Sequence, residues 1–170
     1  MTKNEILNYV RRFISDEQAT AYTDTGNLEQ PDGTDELINY LDRAVLAYSE
    51  RQAAAHDMRL IKSLSVSNGM AIPEDFLSFC GQVPVSTVNN TFSFYGHTST
   101  LPIKYFARLP YVSSYGDTES LPYKHDQEMT IAALAAIYAL NKHEFNISQD
   151  LMLLGYGGGT TNAVTNGQAT

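Results

Sequence analysis

Histidine, cysteine and paired carboxylates are the groups through which a chain of this size does chemistry, and their spacing here narrows what that chemistry can be. The four histidines, His56, His97, His125 and His143, are scattered along the chain. None has a second histidine four residues away, so the arrangement that sets two imidazoles on one helix face around zinc is absent. Cys80 is the single cysteine. One thiol closes no internal disulfide and builds no cysteine-based zinc site. Its setting in Phe79-Cys80-Gly81 reads as a buried structural thiol rather than a nucleophile. Asp117-Thr118-Glu119 and Glu74-Asp75 pair carboxylates as the acid and base of a small hydrolase would be paired. Acids in loops are ordinarily solvated, and nothing else in the chain supports that reading.

Anion chemistry is equally thin. Gly155-Tyr156-Gly157-Gly158-Gly159-Thr160 is rich in glycine, but no Lys-Ser or Lys-Thr follows it and it trails a helix instead of opening one, unlike a phosphate loop. Arg11-Arg12 is a paired basic site with Asp16 and Glu17 close behind, the pattern of a solvated helix face. With 11 basic against 19 acidic residues the net charge is −8. That balance argues against a nucleic-acid binder, which needs clustered Lys and Arg on the phosphates. No cofactor and no metal is expected, and the chain is read as a non-enzyme.

The elements that would carry any site come from hydrophobic periodicity. A length of 170 residues suits one domain with a real core. Thr2-Lys3-Asn4-Glu5 has the spacing of a capping box, and Ile6, Leu7, Val10, Phe13 and Ile14 recur at helical intervals, which predicts a first helix over about 3–14. Residues 15–33 are a polar connection. Thr34 is a candidate N-cap for a long helix over about 35–56, with Leu37, Ile38, Leu41, Ala44, Val45 and Tyr48 as its stripe and His56 at its C-terminal end.

From about 58 to 108 the pattern turns to β. A strand near 60–66 leads to the turn Ser67-Asn68-Gly69 and a returning strand Met70–Ile72; Pro73 opens one helical turn through Leu77; extended pieces follow at 82–88, 91–95 and 102–107. Pro84 and Pro102 assign those pieces to edges or strand ends. Asp126 is a candidate cap for another helix over about 126–143, with Met129, Ile131, Leu134, Ala135, Tyr138 and Leu140 as apolar positions, and Ser148 for a short last helix over about 149–154. The expected class is therefore α+β, mainly α: a helical bundle with short helices at both ends and an inserted small antiparallel β-module. Residues 1–154 form the single domain and 155–170 a flexible, glycine-rich tail.

Tyrosine is abundant at eleven residues, with no tryptophan. Tyrosine offers a large apolar face and a polar tip, which suits either interfaces or the rim of a small core. The candidate interface set is Phe76, Phe94, Tyr95, Tyr105, Tyr111 and Tyr115. No leading apolar segment and no run of membrane-spanning length occurs, so a soluble protein of a reducing compartment is expected.

The order of these elements resembles a known family. Val10-Arg11-Arg12-Phe13-Ile14, an acidic loop, and Asp35-Glu36-Leu37-Ile38-Asn39-Tyr40-Leu41-Asp42-Arg43-Ala44 look like the opening of head–tail adaptor (connector, neck) proteins of tailed bacteriophages. Ile72-Pro73-Glu74-Asp75-Phe76, Tyr105-Phe106-Ala107-Arg108-Leu109-Pro110 and Leu121-Pro122-Tyr123 are similar to segments that such adaptors place before their last long helix. The resemblance spans about residues 2–154. It implies a structural virion protein, assembled in the host cytoplasm, that forms a homo-oligomeric ring, commonly a dodecamer, between the portal protein and the next tail or neck protein. DNA passes through its channel as cargo. It also implies that the C-terminal segment docks on the portal, here through Leu154, Gly155, Tyr156, Gly157, Gly158, Gly159 and Val164. The reading from a different class is a carbohydrate- or peptide-binding module that uses the tyrosine-rich β-region and its open edge.

Overall fold

The computed structural model describes residues 1–14, 36–96 and 99–153, with side chains described as far as residue 142. Three helices carry the frame: α1 (Lys3–Phe13), α2 (Leu37–Ala54) and α3 (His125–Leu153). Between α2 and α3 lie five short strands: β1 (Ile61–Val66), β2 (Phe76–Phe79), β3 (Ser86–Val88), β4 (Thr91–Ser93) and β5 (Leu101–Ala107). The class is α+β, with small antiparallel sheets.

The start of α1 follows the sequence reading closely. The Thr2 hydroxyl accepts from the Glu5 amide and the Glu5 carboxylate accepts from the Thr2 amide, a complete capping box. Ile6, Leu7 and Val10 are buried. The predicted cap of α2, Thr34, and its neighbour Asp35 lie outside the described residues. At the other end His56 takes a left-handed φ of 57°, its Nδ1 lies 3.2 Å from the Ala53 carbonyl, and its ring stacks on Phe106. His56 therefore closes the helix, as its position predicts.

α3 corrects two expectations. It does not stop near His143, and 149–154 is not a separate helix: one helix runs from His125 to Leu153. No Gly or Pro lies between 126 and 153, so nothing in the backbone chemistry forces a stop. Asp126 is inside the first turn rather than at the cap; the Gln127 side chain instead accepts from the Lys124 amide at 2.8 Å.

The helices pack with α3 in the middle. Arg59 reaches Asp126 at one end, and Arg43 lies 4.5 Å over the Tyr138 ring towards the other, so α2 and α3 are antiparallel. The Met1 α-amino group sits on the buried Glu128 carboxylate, and Thr2 bridges Ser120, so α1 runs beside α3 in the same direction. The shared core is Ile6, Val10, Leu37, Leu41, Ala44, Val45 and Ile131 with Ala132, Ala135, Ala136 and Ala139. Four alanines on the core side of α3 let the helix axes approach closely, since interaxial distance follows side-chain size at the contact.

The β-module has two layers. A three-stranded sheet in the order β1-β5-β2 faces the β3–β4 hairpin. Leu64 pairs with Ile103 and Val66 with Leu101, which puts these apolar residues on one face. That face closes on Val85, Phe92 and Phe94, with Phe76 and Phe79 at the side. Here several expectations are corrected. Residues 70–72 do not return along β1; they bond to β4, with Gly69 N–H donating to Phe92 O, Phe92 N–H to Met70 O and Ile72 N–H to Asn90 O. The longer β5 takes the place beside β1, where it offers six paired positions. Pro73 opens a turn, not a helical one, and the chain enters β2 at Phe76. Pro102 meets its expectation by the second of the two alternatives: β5 is the central strand, and Pro102 is next to its first residue, at a strand end. It is tolerated because β2 pairs only with Tyr105, Phe106 and Ala107, which leaves Pro102 with β1 alone as neighbour.

Candidate interaction surfaces

After β5 the chain returns along α2 as a strap. The Leu109 amide donates to the Ser49 hydroxyl at 3.1 Å, and the Ser113 amide to Asp42 Oδ1 at 3.2 Å. The Tyr123 hydroxyl donates to the Pro110 carbonyl and is buried in the helical core. Burial, then the nearby Asp42 charge, pushes the Tyr123 phenol above its ordinary range. The strap ends at α1, where Lys3 lies 3.2 Å from Asp117 and the Asn4 amide donates to the Asp117 carbonyl. The paired acids of the sequence are thus engaged in holding the chain: the Glu119 carboxylate accepts from the Gly116 amide at 2.5 Å. Of Glu74-Asp75, Asp75 behaves likewise. Asp75 accepts from the Tyr105 hydroxyl at 3.1 Å and from Lys62 at 2.5 Å, and its carbonyl accepts from the Arg108 amide. Burial, then the Asp75 charge, pushes the Tyr105 phenol up to about 12. Among the described residues no three His, Cys, Asp or Glu side chains gather as a metal site.

The expected interface residues separate into three kinds. Phe94 and Tyr105 are buried in the β-module and present no surface on a single chain. Phe76, Tyr111 and Tyr115 are half-buried: Phe76 stacks on Tyr105, Tyr111 lies under the Arg108 guanidinium, and Tyr115 rests against the helical core. Tyr95 alone is fully exposed, just past β4 at the open end of the hairpin, whereas the exposed Val88 lies at the opposite, turn end. Leu154, Gly155, Tyr156, Gly157, Gly158, Gly159 and Val164 lie outside the described residues, as do His97 and residues 15–35.

A second apolar surface was not anticipated. Leu140, expected in the core stripe of α3, is 45% exposed, and Ile137 is 50% exposed. With the half-buried Met129 and Ala133 they recur at intervals of four, four and three residues, a stripe that adjoins the buried alanine face, Ala136 lying one turn before Leu140. Phe13, also exposed, ends α1 level with Leu140, because Met1 is level with Glu128 and the two helices run together. The Arg43–Tyr138 stack lies at the same level of α3 but around the helix from this face. The alanine spacing at 132, 135, 136 and 139 was the available signal that the small face is the buried one.

The exposed end of the stripe is far from the joint with the β-module. Ile137 and Leu140 are level with Tyr138 and Arg43, whereas the module meets α2 at His56, thirteen residues further on. That is about 20 Å at 1.5 Å per residue. No described helix is long and apolar enough to cross a membrane. No protein-family model matches the chain, and a search of curated proteins returns no match.

Proposed function

We propose that this protein is a structural assembly protein of a tailed bacteriophage neck, forming a ring that joins the portal to the tail and lets DNA pass. The observation that supports this reading best is the pair of separated apolar features, Ile137 and Leu140 on α3 and the fully exposed Tyr95 on the β-module. A ring closes through heterologous contacts, in which each subunit offers two different surfaces to its two neighbours. Exposed apolar stripes with a polar surround are the usual mark of such contacts. The acidic balance suits a channel wall, since like charge keeps passing DNA from sticking. In this reading the stripe and the hairpin serve neighbouring subunits or the tail-ward component, and residues 155–170 dock on the portal.

The test combines native mass spectrometry with negative-stain imaging of the protein alone and mixed with portal rings. Ile137→Glu adds charge at an exposed position, so the chain folds as before, shown by unchanged circular dichroism. The expected result is a ring for the unaltered protein and monomer for the variant. Rings formed equally well by Ile137→Glu would remove the stripe from the interface. A protein that stays monomeric and does not join portal rings sinks the neck assignment itself.

A further inference from the structure

Asn68-Gly69 joins β1 to the segment that lies on β4, and it is an exposed asparagine followed by glycine. In a free peptide that pair is prone to lose ammonia. The backbone nitrogen of Gly69 attacks Cγ of Asn68, the new C–N bond forms as the side-chain amide leaves, and the nitrogen's proton departs with the ammonia. Water then opens the cyclic imide at one of its two carbonyls and yields aspartate or isoaspartate. No oxidant or further reagent is needed, and glycine favours the reaction because it has no side chain to hinder the approach.

The fold works against each requirement of that step. The Gly69 nitrogen is not free, since its N–H donates to the Phe92 carbonyl at 2.8 Å. The Phe92 amide returns a bond to Met70 O, also at 2.8 Å, so the turn is held from both sides. Met70 N–H closes on Ser67 O at 3.1 Å with Gly69 at φ 82°, a turn with its glycine in the position of positive φ. The nitrogen that must attack is committed to a neighbouring strand, and Phe92 beneath it is fully buried. Freeing the nitrogen requires the turn to part from β4 at Phe92, the residue whose ring is central to the module's core.

We propose that Asn68-Gly69 is a latent deamidation site, closed by the Gly69–Phe92–Met70 clasp, whose covalent change records opening of the β-module. The change is also a one-way step. Isoaspartate inserts one extra backbone methylene between β1 and Met70, and this shifts the register that the two clasp bonds need. A module that opens and reacts does not re-form the same pairing.

The experiment follows Asn68 by peptide-mapping mass spectrometry at mildly alkaline pH and physiological temperature, in oxygen-18 water so that each hydrolysed imide is labelled. Three samples are compared: the full chain in buffer, the full chain unfolded in concentrated urea, and a synthetic peptide covering residues 64–73. The native chain is expected to react about tenfold or more slowly than the peptide, because reaction waits on local opening. The urea-unfolded chain is expected to match the peptide. A native rate within tenfold of the peptide overturns the proposal, and so does a urea-unfolded chain as slow as the native one, which would take the protection away from the fold. Asn68→Asp separates the two consequences of reaction. It adds the charge without the methylene, so hydrogen exchange at residues 69–72 and 90–92 is expected to stay protected in that variant and to rise in aged, isoaspartate-bearing protein. Equal loss of protection in both would refute the register argument.

Discussion

The helical frame and the β-module bury apolar residues in opposite ways. The frame spreads its core over many small and medium side chains, Leu37, Leu41, Val45, Ile131 and the α3 alanines, each touching neighbours on the next helix. The module concentrates its core in a few rings: Phe92 makes edge contact with Phe76 at 5.7 Å and tilts against Phe79 at 6.1 Å, and Phe76 stacks on Tyr105 at 5.5 Å. A distributed core tolerates the loss of one member better than a core with one central ring. The frame is also organised by position along helices, whereas the module depends on pairings between segments distant in sequence, such as β1 with β5. The difference predicts two levels of local stability within one chain.

The comparison breaks most sharply at Phe92. Phe92→Ala is expected to cost about 3–5 kcal/mol and Leu41→Ala about 2–5 kcal/mol, both being fully buried. The informative quantity is where the loss appears. Hydrogen exchange with mass spectrometry is expected to show Phe92→Ala losing protection in β1, β4 and β5 while α2 and α3 keep theirs. Leu41→Ala is expected to loosen all three helices. Equal loss in both regions for Phe92→Ala would mean that the chain unfolds as one unit and that the two cores are not separable.

The same contrast explains what was legible in the sequence. α1 could be read closely because its signals are local: a hydroxyl, a carboxylate three residues on and an apolar stripe. The extended pieces expected at 82–88, 91–95 and 102–107 each overlap a strand, β3, β4 and β5, but their partners were not legible. Asn68-Gly69 suggests a hairpin back onto β1, and only the presence of β5, more than thirty residues later, makes that pairing lose. Pro102 was legible as a strand end but did not show that its strand is central, since a proline is excluded from a central strand only where both neighbours are present. On α3 the expected positions Ile131 and Ala135 are buried and Leu134 and Tyr138 pack against the core, whereas Leu140 lies outside. Of the candidate interface set, Tyr95 reaches the surface in full. Burial of Phe94 and Tyr105 depends on which layer covers which, and that is a tertiary outcome.

The joint between the regions offers a smaller effect. Ser49 is fully buried on α2; its hydroxyl donates to the Val45 carbonyl at 2.7 Å and accepts from the Leu109 amide. Ser49→Ala leaves that amide without its acceptor where β5 hands over to the strap, at a cost of about 1–3 kcal/mol. Urea unfolding would measure the loss. Exchange is expected to rise first at residues 108–114, ahead of either core. If protection there is unchanged, the strap is held by its apolar contacts and the hydroxyl bond is incidental.

The smallest expected effect lies at Arg59, in the linker between α2 and β1. Its guanidinium binds Asp57 at 2.7 Å and Asp126 at the start of α3 at 3.0 Å. The hydrogen bonds from Arg59 hold both carboxyls below the usual aspartate value of 3.8. A carboxyl depressed in the folded state binds protons less readily there than in the unfolded chain. Its contribution is therefore present above about pH 4 and is lost as the pH falls through the depressed values. The groups lie at the surface, so water and salt screen the pair heavily. Arg59→Ala is expected to lower the urea midpoint at neutral pH by less than Ser49→Ala does. The gap between variant and unaltered protein should close on acidification below pH 4 and in high salt. A gap that persists in acid would assign the role of Arg59 to packing of its aliphatic stem between the two regions instead of to its charge.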